Sequence, residues 1–156
     1  TVELQLPKVD SPKWFVHALI LNANTKVVVI DDDLSIHTIW EQHLRESCKT
    51  IEILDFFSTS DFFEWHRKNY INDREHLFLV DHEFKNDTTN GIQLIKRAAI
   101  AERSILVTNR YEDMAVRDIC TKHEIGLLPK SMATTIPIEM APIPPESMNL
   151  GPPVFH

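Results

Sequence analysis

Apolar and polar positions change rhythm several times along the chain. Residues 1–6 alternate, with Val2, Leu4 and Leu6 on one side and Glu3 and Gln5 on the other. That period of two predicts a strand, which Pro7 ends. From 8 to 25 the rhythm is lost around Pro12, the aromatic pair Trp14 and Phe15, and Asn/Thr punctuation. This stretch reads as a linker carrying one apolar patch. The unbroken run Val27 to Ile30 then predicts a strand over 26–30, buried on both faces. Ile36, Ile39, Trp40 and Leu44 recur at helical spacing over 34–46, with Asp33 or Ser35 as cap. A strand is expected over 51–57. A helix opened by Ser58 to Asp61 follows, carrying Phe62, Phe63 and Trp65. Further strands are expected over 76–80, 104–107 and 125–128. Helices are expected over 90–100, with Ile92, Ile95 and Ala99 on one face, and over 111–122, with Ala115 and Ile119 inward.

Five strands alternating with four helices predict parallel pairing through right-handed crossovers. The economical arrangement is an α/β, flavodoxin-like doubly wound five-stranded sheet of order 2-1-3-4-5. A fifth helix is due after Leu128. Residues 129–156 instead hold seven of the nine prolines, so that helix is expected to be short or absent, at most one turn near 131–135. The remaining tail should be extended chain packed over, or leaving, the edge strand, with Ile136, Ile138 and Met140 as its contacts. The expected division is 1–25, an N-terminal strand and linker; 26–135, the α/β domain; and 136–156, a Pro-rich tail.

Composition narrows the class. The 156 residues are 43% hydrophobic and 25% charged, as in an ordinary globular domain, and no apolar run approaches the roughly 18 residues of a spanning helix. A start at Thr1 without a basic, apolar leader reads as a piece of a longer protein without a signal peptide. Only three glycines are present, and the phosphate-cradling loops G-x-x-x-x-G-K-[ST] and G-x-G-x-x-G are missing. Cys48 and Cys120 cannot build a disulfide framework or a cysteine zinc site, which points to a reducing cytoplasm. A net charge of −7 disfavours a nucleic-acid surface. The eight histidines show no ligand spacing and read as surface or half-buried side chains.

Chemistry in such a sheet gathers at the carboxyl ends of the strands. The first strand of the repeat ends in Asp31, Asp32 and Asp33, the third in Asp81, the fourth in Thr108, and the fifth in Pro129 and Lys130. Neighbouring carboxylates repel and raise one another's pKa unless a cation lies among them. Hard oxygen donors suit Mg²⁺. A metal, an ammonium and a hydroxyl together would neutralise a transferring phosphoryl group, and a central Asp can itself be the nucleophile. Asp33 is placed to cap the following helix.

The residues Val27 to Asp32, Leu77 to Asp81, Ile105 to Thr108 and Leu127 to Lys130 resemble the receiver domains of two-component response regulators, over about 26–130. The resemblance implies that Asp81 is the phosphoacceptor. Asp32 would bind Mg²⁺ directly, Asp31 mostly through water, and Glu83 through its backbone carbonyl. Thr108 would grasp a phosphoryl oxygen, and Lys130 would pair with the group. Several positions depart from the pattern. Lys85 stands where Pro is usual, Gly91 comes about two residues late, Ser131 replaces the Pro after the Lys, and Leu127 replaces an aromatic residue. These four leave the chemistry standing; Leu127 and the short or absent fifth helix bear on the family's usual Thr–aromatic signalling and dimerisation.

Residues 1–7 with Pro12, Trp14 and Phe15 also resemble the end of a histidine-kinase ATPase domain. Together the two resemblances imply the C-terminal receiver of a hybrid histidine kinase, a transferase, working in a phosphorelay. The implied partner is a phosphohistidine donor: the parent kinase's dimerisation helices or a histidine phosphotransfer protein. No nucleic acid or membrane contact is expected of this stretch; any membrane anchor would belong to the parent. Two alternatives stand beside it. One is a pseudo-receiver that binds partners without phosphorylation. The other is a haloacid-dehalogenase-type phosphatase, whose D-x-D-x-[ST] pattern Asp31 to Ser35 fits, although the acidic pair it needs after Lys130 is reduced to Glu139 and Glu146 in the tail.

Overall fold

The computed structural model describes residues 15–69 and 75–143. The predicted strand at 1–6 and most of the kinase-like segment lie outside the described residues. In chain order the elements are β1 (Leu19–Leu21), β2 (Lys26–Ile30), α1 (Leu34–Ser47), β3 (Glu52–Phe56), α2 (Thr59–Lys68), β4 (His76–Asp81), α3 (Gly91–Ala98), β5 (Ser104–Thr108), α4 (Met114–His123), β6 (Gly126–Pro129) and β7 (Ile138–Met140). Five strands form one parallel sheet in the order β3-β2-β4-β5-β6. With β1 set aside this is the expected order 2-1-3-4-5.

The pleat of β2 divides the core in two. Val28 and Ile30 face Phe62, Phe78, Leu94, Ile95 and Leu127 on the side of α2, α3 and α4. Val27 and Val29 face Trp40, Leu44, Leu79 and Leu128 on the side of α1. Register follows from this, since a slip of one residue would exchange the two faces. Val28 lies between Leu54 of β3 and Phe78 of β4. Each helix of the repeat begins at a side-chain cap: Asp33 on Ser35 N at 2.9 Å, Ser58 on Asp61 N at 3.1 Å, an Asn90–Gln93 capping box, and Asp113 on Ala115 N at 2.9 Å. The Asp113 cap explains why α4 begins at Met114 and not at 111.

The flanks are where the structure departs most from expectation. Segment 8–25, read as linker, contains β1. Among the described residues no fifth helix follows β6, and a single 3₁₀ turn, Lys130–Thr134, takes its place. The described part of the tail, 136–143, leaves the edge strand. Its β7 pairs in parallel with β1, Leu19 opposite Ile138, and packs beside α1. The outer edge of β6 is already taken by Phe15 and Val16, whose pairing includes Val16 N donating to Leu127 O at 3.2 Å. Of the three expected tail contacts, Ile136 is fully buried, Ile138 half-buried and Met140 exposed. No helix among the described residues is long and apolar enough to cross a membrane.

Candidate functional site: an acidic pocket at the strand ends

Asp31 is the first residue beyond β2. Its N–H bonds Phe56 O at 3.1 Å, continuing the ladder to β3, and its carboxylate is buried and accepts Asp33 N at 2.9 Å. Asp32 is half-buried and accepts Lys85 N at 2.7 Å. Asp33 turns away to cap α1. Asp81 closes β4 and is 6% exposed. Its Oδ1 accepts His82 N at 2.8 Å and Lys130 Nζ at 3.0 Å. Lys130, just past β6, also reaches Asp31 Oδ2 at 3.2 Å. Carboxylate oxygens of Asp31, Asp32 and Asp81 all lie within 4.8 Å of one another. Thr108 at the end of β5 is buried, and its hydroxyl oxygen accepts Arg110 N at 2.9 Å. Asp32, Asp81, Glu83, Thr108 and Lys130 line one cavity of about 590 Å³.

The electrostatics of this pocket are unbalanced. Burial, then the Asp31 charge, push the Asp81 carboxyl up to about 6 against the pull of Lys130. Burial likewise raises Asp31, opposed by the Asp33 N–H and Lys130. Burial works against the Lys130 charge, but Asp31 and Asp81 outweigh it and hold its pKa above the ordinary value. One ammonium thus faces three carboxylates. That donor set, all hard oxygens with two of them desolvated, fits a small divalent cation.

The loop after Asp81 is held by Gly91, whose N–H bonds His82 O at 2.8 Å. A Cβ at Gly91 would fall 2.1 Å from the carbonyl oxygen of Asp81. The late glycine therefore sits where α3 meets the end of β4, and a side chain has no room. At the cavity rim Arg110 donates to Glu83 at 2.5 Å and to Asp113 at 2.7 Å, closing a bridge between the loops after β4 and β5.

Sequence reading missed the histidines. His37 and His82 are buried, at 5% and 8% exposed, not surface residues. His37 bonds Asp55 Oδ1 at 2.6 Å and the backbone oxygen of Asp31 at 2.7 Å. A polar residue inside the apolar stripe of Ile36, Trp40 and Leu44 was the available signal.

No protein-family model and no curated protein matches the chain. Solved structures do. The non-phosphorylated receiver domain of the stress response regulator RcsB from Escherichia coli matches at 19% identity and TM-score 0.58, over 72% of this chain and 86% of that one. A Salmonella typhimurium RcsB response regulator matches at 20% identity and TM-score 0.57 over 72% of this chain, which spans 55% of that longer chain. A CheY-like receiver domain protein from Methanospirillum hungatei matches at 16% identity and TM-score 0.52, over 80% and 86%. By architecture, then, this is a doubly wound α/β domain with an acidic pocket at its strand ends. Its fold is that of the response-regulator receiver domains.

Proposed function

We propose that this chain is a phosphoacceptor receiver, taking a phosphoryl group from a phosphohistidine onto Asp81 in a two-component phosphorelay. The observation that carries the reading is the convergence of Asp31, Asp32, Asp81, Thr108 and Lys130, from the ends of four strands, around one pocket. Both hydrogen bonds on Asp81 fall on Oδ1, which leaves Oδ2 to attack phosphorus as the P–N bond to the donor imidazole breaks. Lys130 holds Oδ1 in place and faces the charge that builds on the phosphoryl oxygens. The Thr108 hydroxyl accepts from Arg110 N and keeps its own proton to donate to a phosphoryl oxygen. Asp31, Asp32, Asp81 and the Glu83 carbonyl would hold Mg²⁺, which when bound supplies charge neutralisation at the transferring group.

The phosphatase alternative loses ground because Asp33, which its motif needs at the reacting centre, spends its carboxylate on the α1 cap. All the acceptor residues lie in 26–135, so we assign function to that stretch and packing to its flanks. The parent is proposed to be a cytoplasmic-facing hybrid histidine kinase, and the donor its own dimerisation helices or a separate phosphotransfer protein. Intact mass after incubation with acetyl phosphate tests the acceptor reading. Wild type with Mg²⁺ is expected to gain one phosphoryl mass. Asp81→Asn, and wild type in chelator, are expected to gain none. A wild-type chain that never gains it would instead be a pseudo-receiver.

A further inference from the structure

We infer that His37 is a positioning residue for the cation pocket: its ring fixes the Asp31–Asp32 peptide from beneath, so that both carboxylates point at the cation. This rests on the acceptor reading above. His37 occupies the inward stripe of α1, between Ile36 and Trp40, and is 5% exposed. Its Nε2 lies 2.7 Å from the Asp31 carbonyl oxygen, and its Nδ1 lies 2.6 Å from Asp55 Oδ1. A backbone carbonyl only accepts, so Nε2 is the donor to Asp31, while Nδ1 pairs with the Asp55 carboxyl. The Phe57 ring lies against the imidazole with centroids 4.0 Å apart.

The Asp31 carbonyl belongs to the peptide that joins the two adjacent acidic residues. Rotation of that peptide would swing both carboxylates at once. The β-ladder holds the preceding amide through Phe56 O, and the ladder stops there, because β2 ends at Ile30. The His37 Nε2–H takes over at the next carbonyl. Asp55 on β3 in turn anchors the far side of the ring. A chain of contacts therefore runs from β3 through α1 to the end of β2. Partners that orient metal-binding side chains in this way commonly carry a 10–100-fold effect on metal affinity.

Two conservative substitutions separate the two bonds. A Gln amide nitrogen stands near the place of Nε2, and an Asn amide nitrogen near that of Nδ1. His37→Gln therefore retains the donor to Asp31, and His37→Asn retains the donor to Asp55. Mg²⁺ binding to the unphosphorylated chain is followed by calorimetry, with thermal melts in chelator for each variant. His37→Gln is expected to bind Mg²⁺ within about 3-fold of wild type, and His37→Asn to bind at least about 10-fold more weakly. Phosphorylation of His37→Asn is expected to recover at saturating Mg²⁺. A purely structural role predicts that affinity follows the melting temperature, with no Gln/Asn split. Equal affinities in wild type and both variants, or equal losses in the two variants, would overturn the proposal. A wild type that binds Mg²⁺ yet takes no phosphoryl group would sink the acceptor reading alone, and the Gln/Asn comparison would still decide the role of His37.

Discussion

Burial of the Asp81 carboxyl comes at a cost in stability. Its folded pKa of about 6 stands above the ordinary 3.8. Between those values the folded chain binds more protons than the unfolded one. Without divalent cation, stability therefore falls as pH rises through that window and then levels. Asp81→Asn removes most of that slope. In chelator the variant should exceed wild type by on the order of 1 kcal/mol or more near neutral pH, with the gap closing toward pH 4. Thermal melts between pH 4 and 8 measure it. The Glu83–Arg110 pair is exposed, so its direct contribution is only about 0.2–1 kcal/mol. Its place at the pocket rim matters more under the proposed function, which would have it screen an Asp81 acyl phosphate from water. Removing both side chains, Glu83→Ala with Arg110→Ala, should shorten the life of the Asp81 adduct while leaving the melting temperature nearly unchanged. Equal or slower decay would remove the shielding role. Gly91→Ala forces α3 and Asp81 apart, and should cost about 1–3 kcal/mol and slow phosphorylation.

At the scale of elements, the five repeat strands and four helices came from periodicity with small errors at their ends. Those errors have local causes. Helix α3 stops at Ala98 because Ala99 turns left-handed at φ 58°, and α4 starts late because Asp113 caps it. The tail is a different matter. Three contacts pin it: buried Ile136, the His43 Nε2 bond to Ile136 O at 2.6 Å, and the β1–β7 pairing. Ile136→Ala should cost about 2–5 kcal/mol, as for a large core side chain cut back to Ala. His43→Ala should cost less and loosen the tail selectively. Chemical denaturation gives the first value, and hydrogen exchange at Ile138 to Met140 reports the second.

For the molecule as a whole, the α1 face of the sheet is completed by chain from both flanks. Leu19, Leu21 and Ile136 are all but fully buried in the same cluster as Trp40 and Leu44. Burying each such side chain is worth about 1.5–3 kcal/mol. A chain trimmed to 26–135 keeps every acceptor residue yet should melt well below one spanning 15–143, and should still be phosphorylated where it remains folded. Similar stability of the two would mean that the flanks add nothing to the core.

The sequence by itself determined the sheet order, the two faces of the core and the acidic, hydroxyl and ammonium groups at the strand ends. All of these follow from short-range pattern: runs of Val, Ile and Leu, helical spacing, caps, and the rule that parallel strands carry their chemistry at one end. Only the tertiary structure decided the rest. Residues 19–21 and 138–140 lie 119 positions apart at their paired ends, Leu19 and Ile138, and three-residue strands have too little pattern to announce a partner at that distance. His37 looked like one scattered histidine among eight, because its two acceptors come from Asp31 and from Asp55, 18 residues on. Such a residue shows its role only when the chain has brought a backbone carbonyl and a carboxylate to opposite sides of one buried ring.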